Sequence, residues 1–232
     1  MNKKILVFSA GRTGSTVVWQ SLREIAPKAE KIHTAEMIDY LSDSLDCIIV
    51  ERDPVTSFLS SVRCEIFDGN TQRFLEGIAS IDLTEFIQIY RAKLAAVQYV
   101  KEKYKGRTLL LHYDDFNNNY GYLFSQFEKF LNISIDEADR EKIIKKTDRN
   151  SNLKIQSTLT DFNSTDLDSS IHGNHIATFS EDQYDFINLE SQAILRKALG
   201  CEGCPPIYPI QKVSDGVAFK SSSSTNCERW NV

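Results

Sequence analysis

Ile5-Leu6-Val7-Phe8-Ser9-Ala10-Gly11-Arg12-Thr13-Gly14-Ser15-Thr16-Val17-Val18-Trp19-Gln20-Ser21-Leu22 is the stretch that decides the fold. Its first four residues have the length and branching of a strand buried on both faces. A loop of small residues follows, from Ser9 to Thr16. Val18, Leu22 and Ile25 then recur at helical spacing until Pro27 ends the pattern. Strand, glycine loop, helix is the arrangement that aims backbone N–H groups and the positive end of a helix dipole at an anion. Gly11 and Gly14 let the backbone approach that anion closely. Ser15 and Thr16 add hydroxyl donors at the first helical turn.

The loop is close to a Walker A P-loop without being one. That motif places Lys directly before its Ser/Thr. Here Ser15 follows Gly14, and the only cation is Arg12, on the far side of that glycine. A cation shortly before the glycine, then G-[ST]-T, resembles the 5′-phosphosulfate loop of sulfotransferases that use 3′-phosphoadenosine 5′-phosphosulfate (PAPS). The resemblance implies that Gly11, Arg12, Thr13, Gly14, Ser15 and Thr16 contact the donor. Many members carry Trp after the G-[ST]-T. This chain has Val17 there and Trp19 on another helix face, so adenine packing must differ or be weaker.

A chain of 232 residues is long enough for one α/β domain with a sizeable core. Lys+Arg 27 against Asp+Glu 32 leaves a net charge of −5, so there is no general basic field for nucleic acid. No apolar run approaches the roughly 20 residues of a membrane helix. Lys3-Lys4 before Ile5–Phe8 is too short a pattern for a signal peptide, and the expected location is the cytoplasm. The five cysteines are scattered. Cys201-x-x-Cys204 lacks the second pair that a zinc site needs, so loop thiols are the simpler reading.

The remaining chain alternates short apolar runs with helical patterns. Lys31–Thr34 reads as a second strand and Ala35–Leu41 as a brief helix. Cys47–Val50 reads as a third strand, ending at Glu51-Arg52-Asp53-Pro54. Asp53 suits an N-cap and Pro54 the first helical turn. Asp68–Ser80 reads as a surface loop. A long helix follows, with Asp82 and Glu85 as a capping box, Phe86, Tyr90, Leu94, Val97 and Val100 on its buried face, and Gly106 as its stop. Thr108–His112 is the fourth strand, with His112 a packed residue. Tyr122–Leu131 and Asp136–Lys146 are further helices, Asp148–Ser170 a long polar loop, and a last helix runs from Ser180 to Gly200. The expected division is one domain over 1–211 and a disordered tail over 212–232. The pattern predicts a three-layer α/β/α fold with a mostly parallel central sheet, P-loop NTPase-like. Ligands of such sheets sit beyond the carboxyl ends of the strands. Ser9–Thr16, His33, Arg52–Pro54 and Tyr113–Asp115 should therefore face one cleft.

Arg52-Asp53-Pro54 with Ser60 eight positions after Arg52 is the second signal. A helix opening at Pro54 puts Ser60 two turns along, where its hydroxyl and the forked guanidinium of Arg52 can converge on one phosphate. This is similar to the 3′-phosphate element of PAPS-dependent sulfotransferases, R-[DN]-P with a serine at that offset. Leu110–Phe116 resembles the family's strand ending in Y-E-D-L, which implies that Tyr113 lies near the nucleotide. His172–Phe179 resembles the glycine-containing 3′-phosphate loop of bacterial members and implies contacts from Gly173 and Asn174. Thr178 stands near the place of that loop's basic residue.

The resemblance implies sulfuryl transfer from PAPS to a hydroxyl or amine, leaving 3′,5′-adenosine bisphosphate, with no metal required. Arg12 would stabilise the leaving phosphate. His33, in a Lys-x-His similar to the family's, would be the base, with Glu36 the alternative. The acceptor would be a small molecule, lipid or glycan. Two other readings remain open at this point: a P-loop nucleotide or small-molecule kinase with Glu51 or Asp53 as its acid, and a non-catalytic nucleotide-binding protein.

Overall fold

The computed structural model describes residues 4–32, 45–159, 165–166, 171–172, 189–201, 212–213 and 216–217. The core is a parallel sheet of β1 (Ile5–Phe8), β2 (Ala29–Ile32), β3 (Asp46–Glu51) and β4 (Thr108–His112), in the order β2-β1-β3-β4. Residue alternation splits β1 and β3 between two cores. Leu6, Phe8, Cys47 and Ile49 face one layer of helices, with Phe58, Val62, Tyr90, Val97 and Val100. Ile5, Val7, Ile48 and Val50 face the other, with Val18, Leu22, Leu123, Phe124 and Phe127. Burial on both faces is why these strands read as unbroken apolar runs. The three-layer α/β architecture is the one the alternation predicts.

The first helix, α1, is Ser15–Ile25; α2 is Pro54–Ile66, with the Asp53 carboxylate accepting the Thr56 N–H at 2.8 Å. The expected loop over 68–80 instead forms α3, Thr71–Gly77, and a short 3-10 turn. Asn70 caps α3 by accepting the Arg73 N–H, and Phe74 packs edge-on against Phe67. A single apolar anchor and a cap are enough to fold a segment whose composition reads as loop. The long helix α4 is Thr84–Lys103, and its expected apolar face is the buried one. Its ends differ from expectation. Asp82 accepts the Thr84 N–H one position too early to cap the helix, and Tyr104, in extended conformation, ends it ahead of Gly106. There the Tyr104 hydroxyl donates to the Leu45 carbonyl at 2.6 Å, which draws the chain back to the sheet.

Beyond β4 come α5 (Tyr113–Phe116), α6 (Tyr120–Leu131) and α7 (Glu137–Thr147). The long polar loop expected from Asp148 begins as a helix, α8 (Arg149–Ser157), because Asp148 accepts the Ser151 N–H and starts a new turn. Thr165–Asp166 (β5) pairs antiparallel with Ile171–His172 (β6). The described part of the last helix is α9, Leu189–Ala198, followed by Gly200 at φ 75°, the left-handed stop its sequence predicts. Within the expected tail, Lys212–Val213 (β7) pairs with Gly216–Val217 (β8). Ala35–Leu41 lies outside the described residues. No helix among the described residues is long and apolar enough to cross a membrane.

Candidate functional site

The chain order makes the site. From β1 the chain moves outward to β2, then crosses back past β1 to β3 and continues to β4. The direction reverses between β1 and β3, so their carboxyl ends diverge and leave a crevice. The loop after β1 carries Arg12, and the residues after β3 are Arg52 and Asp53. Two motifs forty positions apart are thus neighbours: Arg52 Nη1 donates to the Arg12 carbonyl at 3.4 Å, and Arg12 Nε donates to Ser60 Oγ at 3.2 Å.

The loop itself curls through Gly11 at φ 95°, Arg12 at φ 58° and Gly14 at φ 77°. Left-handed backbone is costly for a residue with a Cβ, so Arg12 must be held there by its surroundings. Ser9 Oγ accepts the Gly11 N–H at 3.3 Å, and the Tyr90 hydroxyl donates to the Gly11 carbonyl at 3.4 Å. Gly14 has a second reason to be glycine. A Cβ there would lie 2.6 Å from Tyr113 Cδ2 and 3.1 Å from Phe116 Cε2. Tyr113 packs against the loop on one side, and its ring carries the Arg52 guanidinium, with Cζ 4.2 Å from the centroid.

The loop leaves hydrogen-bonding capacity unfilled among the described residues. Helices α2, α3, α6, α7 and α8 satisfy their first turns with the side chains of Asp53, Asn70, Asn119, Asp136 and Asp148. Helix α1 has no side-chain cap among the described residues: its N-cap is Gly14 and its first turn holds no acid, whereas α4, also without one, carries Glu85 in its first turn. Orphan N–H groups and a helix dipole so placed can receive an anion. Thr13 Oγ1, also buried, has no partner among the described residues.

Charge points the same way. Lys31, the next-to-last residue of β2, donates to Thr16 Oγ1 at 3.0 Å and lies 5.5 Å from the centre of the Trp19 ring. Burial, and then the nearby Arg12 charge, pull its pKa down to about 8. Among the described residues no carboxylate forms an ion pair with Arg12, Lys31 or Arg52, whereas Lys101, Arg107, Arg140 and Arg196 each have one. Three cations crowded at one crevice repel one another unless an anion sits among them.

Gly11, Arg12, Thr13, Gly14, Ser15, Thr16, Arg52, Ser60 and Tyr113 are therefore brought together at one end of the sheet. His33, Glu36, Gly173, Asn174 and Thr178 lie outside the described residues. Trp19 is buried, with its indole N–H donated to the Ala29 carbonyl at 3.1 Å, so it belongs to the core beneath α1. His112 departs from expectation: its side chain is 44% exposed and its Nδ1 lies 3.8 Å from Glu51, because β4 ends the described sheet and its last residue meets solvent. Cys47, Cys64 and Cys201 are buried free thiols; Cys204 lies outside the described residues. Among the described residues no cluster of His, Cys, Asp and Glu is placed to hold a metal. Sequence reading passed over Lys31 and Tyr90. Lys31 had a visible signal, since it is the Lys of the Lys-x-His that singled out His33. Tyr90 had none, being one apolar-face position among several.

No protein-family model matches the chain, and no curated protein matches it by sequence. Among solved structures it is similar to mouse sulfotransferase SULT7A1 complexed with PAP, with a TM-score of 0.56 at 13% identity, covering 84% of this chain and 82% of that one. Identity that low speaks for backbone architecture, and on that ground the chain has a sulfotransferase-like fold on a P-loop-like parallel sheet.

Proposed function

We propose that this protein is a PAPS-dependent sulfotransferase acting on a hydroxyl or amine of a small-molecule, lipid or glycan acceptor. The observation that carries the reading is the Arg12–Ser60 hydrogen bond, which joins the two anion-binding elements into one site. The residues fit a donor that is anionic at both ends. One end meets a helix start and a buried threonine hydroxyl that have no side-chain partner among the described residues; the other meets a guanidinium and a serine. The solved neighbour is complexed with PAP, the size and charge of ligand such a site takes.

PAPS supplies an activated sulfuryl group whose S–O bond to phosphate breaks as the acceptor's bond to sulfur forms. The N–H groups of Thr13–Thr16 hold the 5′-phosphate. Arg12 and Lys31 face the oxygen on which charge grows in a loose transition state. Arg12 supplies a planar fork of donors, while Lys31 is a proton donor as well as a cation. Arg52 and Ser60 hold the 3′-phosphate: Ser60 accepts from Arg12 and still has its own O–H to donate. Arg52 is aimed by Tyr113. His33, or Glu36 in its place, takes the acceptor's proton.

Calorimetry with 3′,5′-adenosine bisphosphate against ADP tests the reading. Micromolar binding of the first and little of the second is expected, with Arg52→Ala abolishing the preference. Equal affinity of the intact protein for both would remove the basis for assigning Arg52 and Ser60. Transfer activity should survive EDTA, whereas a P-loop kinase would lose it.

A further inference from the structure

Asp53 does more than cap α2. Its Oδ2 accepts the N–H and the hydroxyl of Thr56, at 2.8 and 2.9 Å, which completes the cap. Its Oδ1 accepts from Arg196 Nη2 at 2.6 Å, a residue 143 positions later in the last turn of α9. The pair is buried, with Asp53 3% and Arg196 9% exposed. Arg196 is also held from below, since its carbonyl accepts the Cys201 N–H and thiol at the Gly200 turn.

Stability alone accounts poorly for this arrangement. A buried ion pair contributes little net stabilisation relative to apolar packing, and its best attested use is to fix one geometry. Arg196 Nη1 is moreover buried without a partner among the described residues, which an optimised structural clamp would avoid. What the pair does fix is the peptide next to Arg52. That residue leaves β3 in irregular backbone, and its guanidinium must reach over Tyr113 to the Arg12 carbonyl. The adjacent Asp53 is tied on both oxygens, so the base of the Arg52 side chain cannot drift.

We propose that Arg196 is a positioning residue for nucleotide recognition: through Asp53 it holds the backbone of Arg52, and so makes α9 part of the selection for a 3′-phosphate. The inference rests on the sulfotransferase reading and extends it to α9, a helix that docks against α2. It separates the two halves of the site. Arg196 governs discrimination by the 3′-phosphate and leaves the cradle built by α1 alone.

The test is calorimetry on the full chain with 3′,5′-adenosine bisphosphate and adenosine 5′-monophosphate, which differ only in that phosphate. Arg196→Gln should weaken the bisphosphate at least tenfold and the monophosphate less than twofold, and Arg196→Lys should restore part of the difference. Hydrogen exchange supplies a second measure: bisphosphate should protect the amides of α9 in the wild type and not in Arg196→Gln. Should Arg196→Gln not fold, Asp53→Asn keeps the cap on Thr56, removes the charge, and should lose the same discrimination. Equal weakening of both nucleotides, or an unchanged ratio, would overturn the positioning role while the sulfotransferase reading stood. A wild type that binds neither nucleotide would remove that reading and the inference with it.

Discussion

Arg12 is asked to do several things at once. It adopts φ 58°, donates to Ser60, presents its carbonyl to Arg52 and keeps its guanidinium free of carboxylates among the described residues. A Lys in its place keeps the charge but loses the planar fork and the Nε–H that reaches Ser60. Arg12→Lys is therefore expected to retain nucleotide binding within about tenfold, a loss of about 1.4 kcal/mol, and Arg12→Ala to lose transfer by about a hundredfold or more. Calorimetry with 3′,5′-adenosine bisphosphate checks the first, and initial rates with saturating donor the second.

Lys31 makes the site sensitive to pH. Its pKa is lowered to about 8 from the 10.5 of an exposed lysine by burial, then by Arg12. Between those two values the unfolded chain holds a proton that the folded chain has released, so this residue's contribution to stability rises with pH across that window and is least favourable below about 8. An anion in the site reverses the preference by favouring charged Lys31. Donor affinity should consequently fall as pH rises through about 8, and Lys31→Met should flatten that step. A pH-independent affinity in the wild type would show that Lys31 does not meet the anion.

At the scale of elements, α1 and α2 begin in opposite ways. Helix α2 is closed at its start by Asp53, and Asp53→Ala should cost about 1 kcal/mol for the cap. The broken pair with Arg196 adds about 3–5 kcal/mol because a guanidinium is left buried alone. Asp53→Asn should keep the first contribution, so urea denaturation of the two variants separates them. Helix α1 begins at an open glycine instead. Gly14→Ala meets both a left-handed φ and the Tyr113 ring, itself held between Arg52 and Phe116. A loss of about 2 kcal/mol or more is expected, and Tyr113→Ala in the same chain should recover the steric part but not the backbone part.

At the scale of the whole molecule, strand order brings the site together. Were β3 on the outer side of β2, Arg52 would open far from Arg12. Because both ends of the donor would be gripped by different segments, ligand should stabilise the fold as a unit. At a hundred times its dissociation constant, 3′,5′-adenosine bisphosphate should add about 2.7 kcal/mol. A thermal melt should show the shift, and should show little with ADP at the same concentration.

The sequence determined most of this architecture, because strands buried on both faces and helices with one buried face leave patterns that need no partner to be read. Ile5–Phe8 and Cys47–Val50 are such patterns, Thr108–His112 is a half-buried edge version of them, and the glycine loop is another, since its backbone demands exclude most other residues. Arg52 and Ser60 were legible because a helix start at Asp53-Pro54 fixes their relative phase. Segments 71–77 and 149–157 were not legible as helices, since one cap and one or two buried side chains outweighed a loop-like composition. What only the tertiary structure decided are the meetings between distant parts. The bond from Arg12 to Ser60, the support of Gly11 by Tyr90, the desolvation of Lys31 against Trp19 and the reach of Arg196 to Asp53 all depend on crossover order and helix docking. Those are set by the summed burial of two cores, which no local stretch of residues encodes.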